Sequence, residues 1–163
     1  AAIEKYNYPD IIFINRNKYD GKNKIVIDEN IFFPASDGIV NKEDVLHEYM
    51  CGHNIVSICG KVIKRSCINV DMDYSEYGRL STGEDTLQSM EFFLNAKTFV
   101  YVNKALYDYR YGSGMTAKFD YEYYFTFKKI FKQMLKEKNN WSLKYLNSKK
   151  LIKIFQIPII FFF

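Results

Sequence analysis

Ser81-Thr82-Gly83-Glu84-Asp85-Thr86-Leu87 puts two adjacent carboxylates at the start of a helix, directly after a glycine turn. From Glu84 onward, Leu87, Met90 and Leu94 recur at steps of three and four, which is one stripe of a helix. A strand around Phe99, Val100 and Tyr101 follows. Ala105-Leu106-Tyr107-Asp108-Tyr109-Arg110-Tyr111 reads as a second, aromatic strand ending in an arginine, and Gly112-Ser113-Gly114-Met115-Thr116 as a small-residue loop beyond it. Helix and strand alternating in this way predict an α/β fold with a mixed sheet. They also predict that the carboxylates and the arginine loop share one cleft.

Upstream, Ala1 to Tyr8 reads as the end of a helix stopped by Pro9, and Asp10 to Asn15 as a short buried strand. Arg16 to Lys24 is expected to be a polar turn, with Ile25-Val26-Ile27 returning beside the first strand and Ile31 to Pro34 forming an edge. Asn41 opens a helix carrying Val45, Leu46 and Tyr49, and Gly52 is its stop. Val70 to Gly78 reads as a loop over the cleft. Downstream, Asp120 to Lys138 is strongly helical, with Tyr123, Phe127, Ile130, Phe131 and Met134 on one face, and Trp141 to Leu151 reads as a further helix. The closing run Ile157 to Phe163 is apolar but much shorter than the ~20 residues of a membrane-spanning helix.

The chain has 163 residues, 48% apolar and 26% charged, the proportions of an ordinary folded domain. Fourteen tyrosines and fourteen phenylalanines raise the aromatic share to 18%, and tyrosine's polar rim suits sugar faces and wet interfaces as well as cores. A net charge of +4 with no arginine-rich patch argues against nucleic acid. Three cysteines without a C-x-x-C pair argue against a disulfide framework or zinc knuckle and point to a reducing cytoplasm. The opening Ala1-Ala2-Ile3-Glu4-Lys5 turns polar at once, unlike a signal peptide.

Two readings of Glu84-Asp85 stand side by side. A carboxylate at a cleft can act as a general base. Alternatively, Thr82-x-x-Asp85 is a capping box, its carboxylate spent on the helix's own amides. Asp71-Met72-Asp73 has the form of a metal-binding D-x-D, though so short a motif more often belongs to a loop. His47 and His53 lack partners at ligand spacing, so no metal site is assigned. Arg110 can pair with a phosphate or with the carboxylates, and Ser113 and Thr116 can bring hydroxyls to an anion. Tyr107, Tyr109 and Tyr111 alternate along their strand, where they can stack on a sugar or pack beneath the C-terminal helices.

The pairing of Glu84-Asp85 with Tyr107-x-Tyr109-Arg110 and Ser113 resembles the second half of the catalytic domain of family 2 glycosyltransferases, inverting enzymes with a GT-A nucleotide-sugar fold. The likeness runs from about Ile11 to Lys118. It implies a partial GT-A domain over residues 1–118 and a C-terminal helical extension over 119–163. It also implies Asp85 as the base, with Glu84 positioning it or binding the acceptor, and Arg110, Ser113, Tyr109 and Lys61 as substrate-binding residues. Lys61 lies in the counterpart of the family's W-x-K-x-x-R region, where Cys59 stands in the usual place of the tryptophan.

The nucleotide-binding half, with its metal-binding D-x-D, would precede Ala1. The resemblance therefore implies Mg²⁺ or Mn²⁺ in the full-length parent and none on this chain alone. The parent would move a sugar from a nucleotide donor, usually UDP-linked, to a glycan or lipid-linked acceptor with inversion. It would do so in the cytoplasm, with peripheral contact at the inner membrane face through the lysine-rich C-terminal helices as a secondary reading. The competing class is a non-catalytic carbohydrate- or protein-binding module that uses the tyrosine-rich face.

Overall fold

The computed structural model describes residues 2–19, 24–25, 36–50, 54–77, 83–110 and 122–138. Cys51, Gly52, His53, Ser113, Thr116, the strand expected at 31–34, the helix at 141–151 and the terminal apolar run lie outside these residues. The fold is mixed α/β. Its elements are α1 (Ala2–Lys5), β1 (Ile11–Tyr19), β2 (Lys24–Ile25), β3 (Gly38–Val40), α2 (Lys42–Met50), β4 (Lys61–Ile63), α3 (Glu84–Asn95), β5 (Phe99–Arg110) and α4 (Glu122–Lys138). The order in the sheet is β2-β1-β5-β3, and β4 shares β1's other edge with β2.

β1 is the central strand, and its apolar run explains why. Ile11 and Phe13 enter the main core, whereas Ile12 packs with Val100 and Val102 on the opposite face under Ala2 and Tyr6. A strand buried on both sides is expected to be continuously apolar. The strand does not end at Asn15, as expected from sequence, but runs to Tyr19. Arg16 to Tyr19 are held there by parallel pairing with Tyr107 to Arg110, which a local reading of four polar residues cannot detect. The two strands expected around residues 99–102 and 105–111 are likewise one, β5.

The β1–β5 ladder slips twice, on either side of Asn15. Phe13 pairs with Tyr101, but Arg16 pairs with Tyr107 and Lys18 with Tyr109. Two irregularities thus move the odd-numbered tyrosines of β5 from the odd-numbered to the even-numbered residues of β1. Such bulges re-aim side chains beside functional sites.

The main core is filled by Val45, Leu46, Tyr49 and Met50 of α2, Leu87, Met90, Phe92 and Phe93 of α3, and Ile130 and Met134 of α4. The buried face of α3 is therefore centred on Leu87, Met90 and Phe93, with Leu94 at its margin. Two contacts fix the ends of α3. Lys42 donates to the carbonyls of Leu94 (2.9 Å) and Ala96 (2.8 Å), satisfying C-terminal acceptors that the helix leaves open. Tyr49 donates to the carbonyl of Thr86 at 2.9 Å, tying α2 to the first turn. The segment before α3 is pinned to it as well: Glu91 accepts from the Asn69 amide (2.6 Å) and the Tyr74 hydroxyl (2.7 Å).

Gly83 begins α3 in the left-handed region, at φ 82°, and a Cβ there would lie 2.5 Å from Cδ1 of the buried Ile130. The turn and the seating of α4 thus depend on the same missing side chain. Gly83→Ala is expected to cost about 1–3 kcal/mol through backbone strain and overpacking. Adding Ile130→Val should recover the steric part only, a non-additivity measurable by a denaturation cycle.

Candidate functional site

Four elements converge on residues 57–61: the C-terminal half of β1, the start of β4, the first turn of α3 and the outer half of β5. The ends of parallel strands are where α/β sheets commonly place ligands.

Asp85 lies in the first turn of α3, and its Oδ2 accepts the backbone N–H of Ile58 at 3.3 Å. Gly83 occupies the cap position, and Thr82, on which the capping-box reading rests, lies outside the described residues. Beside Asp85, Glu84 is half-buried, and its Oε2 is enclosed without a hydrogen-bond partner among the described residues.

Lys61 opens β4. Its ammonium donates to the carbonyl of Ser57 and to Ser89 Oγ (3.1 Å), and it sits 5.4 Å from the centre of the Phe93 ring. Ser89, fully buried on α3, in turn donates to the carbonyl of Val56 at 2.6 Å. The residue as a whole is half-buried, but its charged end is enclosed. Burial pushes the Lys61 pKa down to about 7, with the Asp85 charge opposing and the Arg16 charge reinforcing the fall.

This shift has a consequence for stability. From about pH 7 to 10.5 the unfolded chain holds a proton on Lys61 that the folded chain has released, so stability rises with pH across that window. Between pH 7 and about 9.5 the rise should reach ~3 kcal/mol, and Lys61→Met should flatten it. Chemical denaturation at stepped pH measures both.

From β1, Arg16 donates to Ser57 Oγ at 3.1 Å and lies over the Tyr109 ring, 5.1 Å from its centre. Tyr107 hydrogen-bonds to Cys59, and that contact raises the phenol's pKa. Asn15 and Asn17 are buried polar residues on the same strand. Asn15 donates to Asn103 Oδ1 (2.8 Å) and accepts the Tyr101 hydroxyl (3.1 Å), and Asn17 donates to Asp108 Oδ1 (2.7 Å). This ladder holds the two bulged strands in register.

Of the residues expected from sequence, Asp85, Lys61 and Tyr109 are brought to this cluster, and Glu84 stands next to it. Arg110 ends β5, exposed and paired in register with Tyr19, roughly 10 Å along the strand from the Arg16–Tyr107 pair. It makes no hydrogen bond or ion pair with Glu84 or Asp85. Ser113 lies outside the described residues. No family model, no curated protein and no solved structure matches this chain.

The cation at the cluster that sequence reasoning passed over is Arg16, read as part of a turn. Its one signal was its place directly after a buried apolar strand. Ser57 and Ser89 carried no signal, because each is defined by contacts between distant segments.

The remaining candidates have structural roles. Each carboxylate oxygen of Asp73 accepts from Ser75, from its amide at 2.8 Å and its hydroxyl at 2.9 Å, which makes this segment a tight turn. His47 pairs with its neighbour Glu48 at 3.3 Å. Cys59 and Cys67 are free thiols. The second C-terminal helix, beneath which the alternating tyrosines could also pack, lies outside the described residues, as does Tyr111; Tyr107 itself is partly open to solvent. It is 43% exposed, beside the still more exposed Leu106.

Proposed function

We propose that this chain is the acceptor-side part of an inverting glycosyltransferase of GT-A type, with Asp85 as the general base. The observation that carries this reading is the direction of the Asp85 carboxylate. It reaches the backbone of a segment lined by lysine, serine, arginine and tyrosine side chains. Inverting transfer needs such a carboxylate, which takes the proton of the acceptor hydroxyl as that oxygen attacks the anomeric carbon. Glu84 positions the base or meets the acceptor, and Tyr107 and Tyr109 offer ring surface to a sugar. The donor, UDP-linked in the usual case, and its divalent cation belong to the other half of such a domain. No step here is assigned to that cation.

Arg110, at the end of β5, and Ser113 remain assigned to substrate binding. The acceptor is a glycan or a lipid-linked sugar. No described helix is long and apolar enough to cross a membrane. In α4 Ile130 and Met134 are spent on the core, while Phe125, Phe127 and Lys128, Lys129, Lys132 and Lys136 stay exposed, a surface compatible with peripheral contact.

The exposed Leu106 and Tyr107 favour one competing reading, a non-catalytic module that binds carbohydrate or protein along β5. Asp85→Asn in the full-length protein separates the two. Lost sugar transfer with intact folding supports the transferase, and unchanged transfer removes it.

A further inference from the structure

Asp85, Ser89 and Phe93 follow at steps of four along α3, which places them on one face of the helix. All three meet the segment 56–61. Asp85 Oδ2 accepts the Ile58 N–H at 3.3 Å, Ser89 Oγ donates to the Val56 carbonyl at 2.6 Å, and the Lys61 ammonium lies over the Phe93 ring. Lys61 closes the set by donating to Ser89 Oγ at 3.1 Å and to the Ser57 carbonyl. The fully buried Ser89 hydroxyl is thus acceptor and donor at once. A lysine that releases its proton near pH 7 is a poor counter-ion at that pH, but it remains a donor. The two acceptors it uses here are uncharged oxygens, so ammonium and amine can both make these bonds. Nor is the local charge one-sided. Asp85 favours the ammonium, as does Cys59, to which Tyr107 is bonded, whereas Arg16 opposes it, and Glu84 stands beside Asp85.

We propose that Ser89 and Lys61 are positioning residues, a hydrogen-bonded clamp that seats residues 56–58 on α3 and so fixes the Asp85 carboxylate through the Ile58 N–H. Lys61 then acts inside the protein, as a donor, and does not itself bind substrate. The tether engages Oδ2 of Asp85. On the transferase reading, on which the catalytic part of this inference rests, Oδ1 is the oxygen that takes the acceptor's proton. The clamp also has a protonic signature. Opening it returns Lys61 to water and to its ordinary pKa, so above about pH 7 opening takes up a proton and becomes harder as pH rises. A segment held by the ammonium's charge would instead loosen as pH rises.

The test is amide hydrogen exchange of the chain followed by NMR, with the protection of Ile58 read against that of Met90 within α3. A general loss of stability lowers both, whereas loss of the clamp lowers Ile58 alone. At about pH 6 the Ile58-to-Met90 ratio should fall about 10-fold in Ser89→Ala and in Lys61→Met. The double variant should lose little more than either single one, because each opens the same clamp. Between about pH 6 and about pH 8 the Ile58 protection of the unaltered chain should rise by up to about 10-fold, and Lys61→Met should abolish the rise. Lys61→Met serves as the test if Ser89→Ala fails to fold. A ratio unmoved by the substitutions overturns the proposal, as do losses that simply add. Ile58 protection that falls between the two pH values also overturns it, by assigning the hold to charge. On the transferase reading, Ser89→Ala lowers kcat and leaves KM nearly unmoved. Transfer unaffected by Asp85→Asn, together with Ser89-dependent protection of Ile58, overturns the transferase reading and leaves the clamp supported. Transfer lost in Asp85→Asn with Ile58 indifferent to Ser89 does the reverse.

Discussion

On the proposed transferase reading, Asp85→Asn is expected to lower sugar transfer about 10²- to 10⁴-fold, the usual contribution of a positioned general base. The loss should fall on kcat and leave KM nearly unmoved, since the proton is taken only as the bond forms. Folding should survive, because asparagine keeps a carbonyl oxygen that can accept the Ile58 N–H now bonded at 3.3 Å. Asp85→Ala lacks that acceptor and should in addition destabilise by about 1–2 kcal/mol. The pair of variants therefore separates charge from tether. Unchanged turnover in Asp85→Asn, with a lowered melting temperature in Asp85→Ala, would mean that the carboxylate merely ties residue 58 to α3. A third readout is independent of activity. Without the Asp85 charge the burial of Lys61 is opposed less, so the pH-dependent rise in stability should start below pH 7.

Phe93→Ala is expected to have the largest effect on folding, about 3–5 kcal/mol, or ~10 °C in melting temperature for a chain of this size. Phe93 is fully buried and meets three rings: Tyr49 edge-on at 5.5 Å, Phe13 at 5.9 Å and Phe99 at 6.2 Å. It thus joins α2, α3, β1 and β5 at one point, and no neighbour can close the gap without moving an element. The Lys61 ammonium lies over this ring, 5.4 Å from its centre, so the same substitution should let water reach the charge. The Lys61 pKa then moves back toward its ordinary value, and the stability gain between pH 7 and about 9.5 shrinks. A calorimetric loss under ~1 kcal/mol would contradict the packing of α3 on the sheet.

The two expectations are linked. The ring that holds the core together also forms part of the wall around Lys61, so the site is built on the most constrained part of the fold. Asp85 is anchored the same way, on a helix whose two ends are fixed by Tyr49 and Lys42. A carboxylate on so rigid an element can hold the geometry that the proposed proton transfer requires.

Local patterns in the sequence were sufficient for the elements whose rules are local. The apolar run Ile11 to Ile14, the spacing of Val45, Leu46 and Tyr49, the stripe from Leu87 and the face of Ile130 and Met134 all read directly as a strand and three helices, since periodicity follows from which side must avoid water. The mixed α/β fold follows from their order. What tertiary structure alone decided is how charged and polar residues are used. Asp85 obeys the same local grammar wherever its carboxylate points, and only the position of the 57–61 segment brings it to the Ile58 amide. Arg16 reads as a turn residue until the long parallel pairing with β5, slipped twice around Asn15, lays it against Tyr109. The physical reason is that burial of an apolar side chain is a property of its own element, whereas the state of a charge depends on groups that the chain brings from far away.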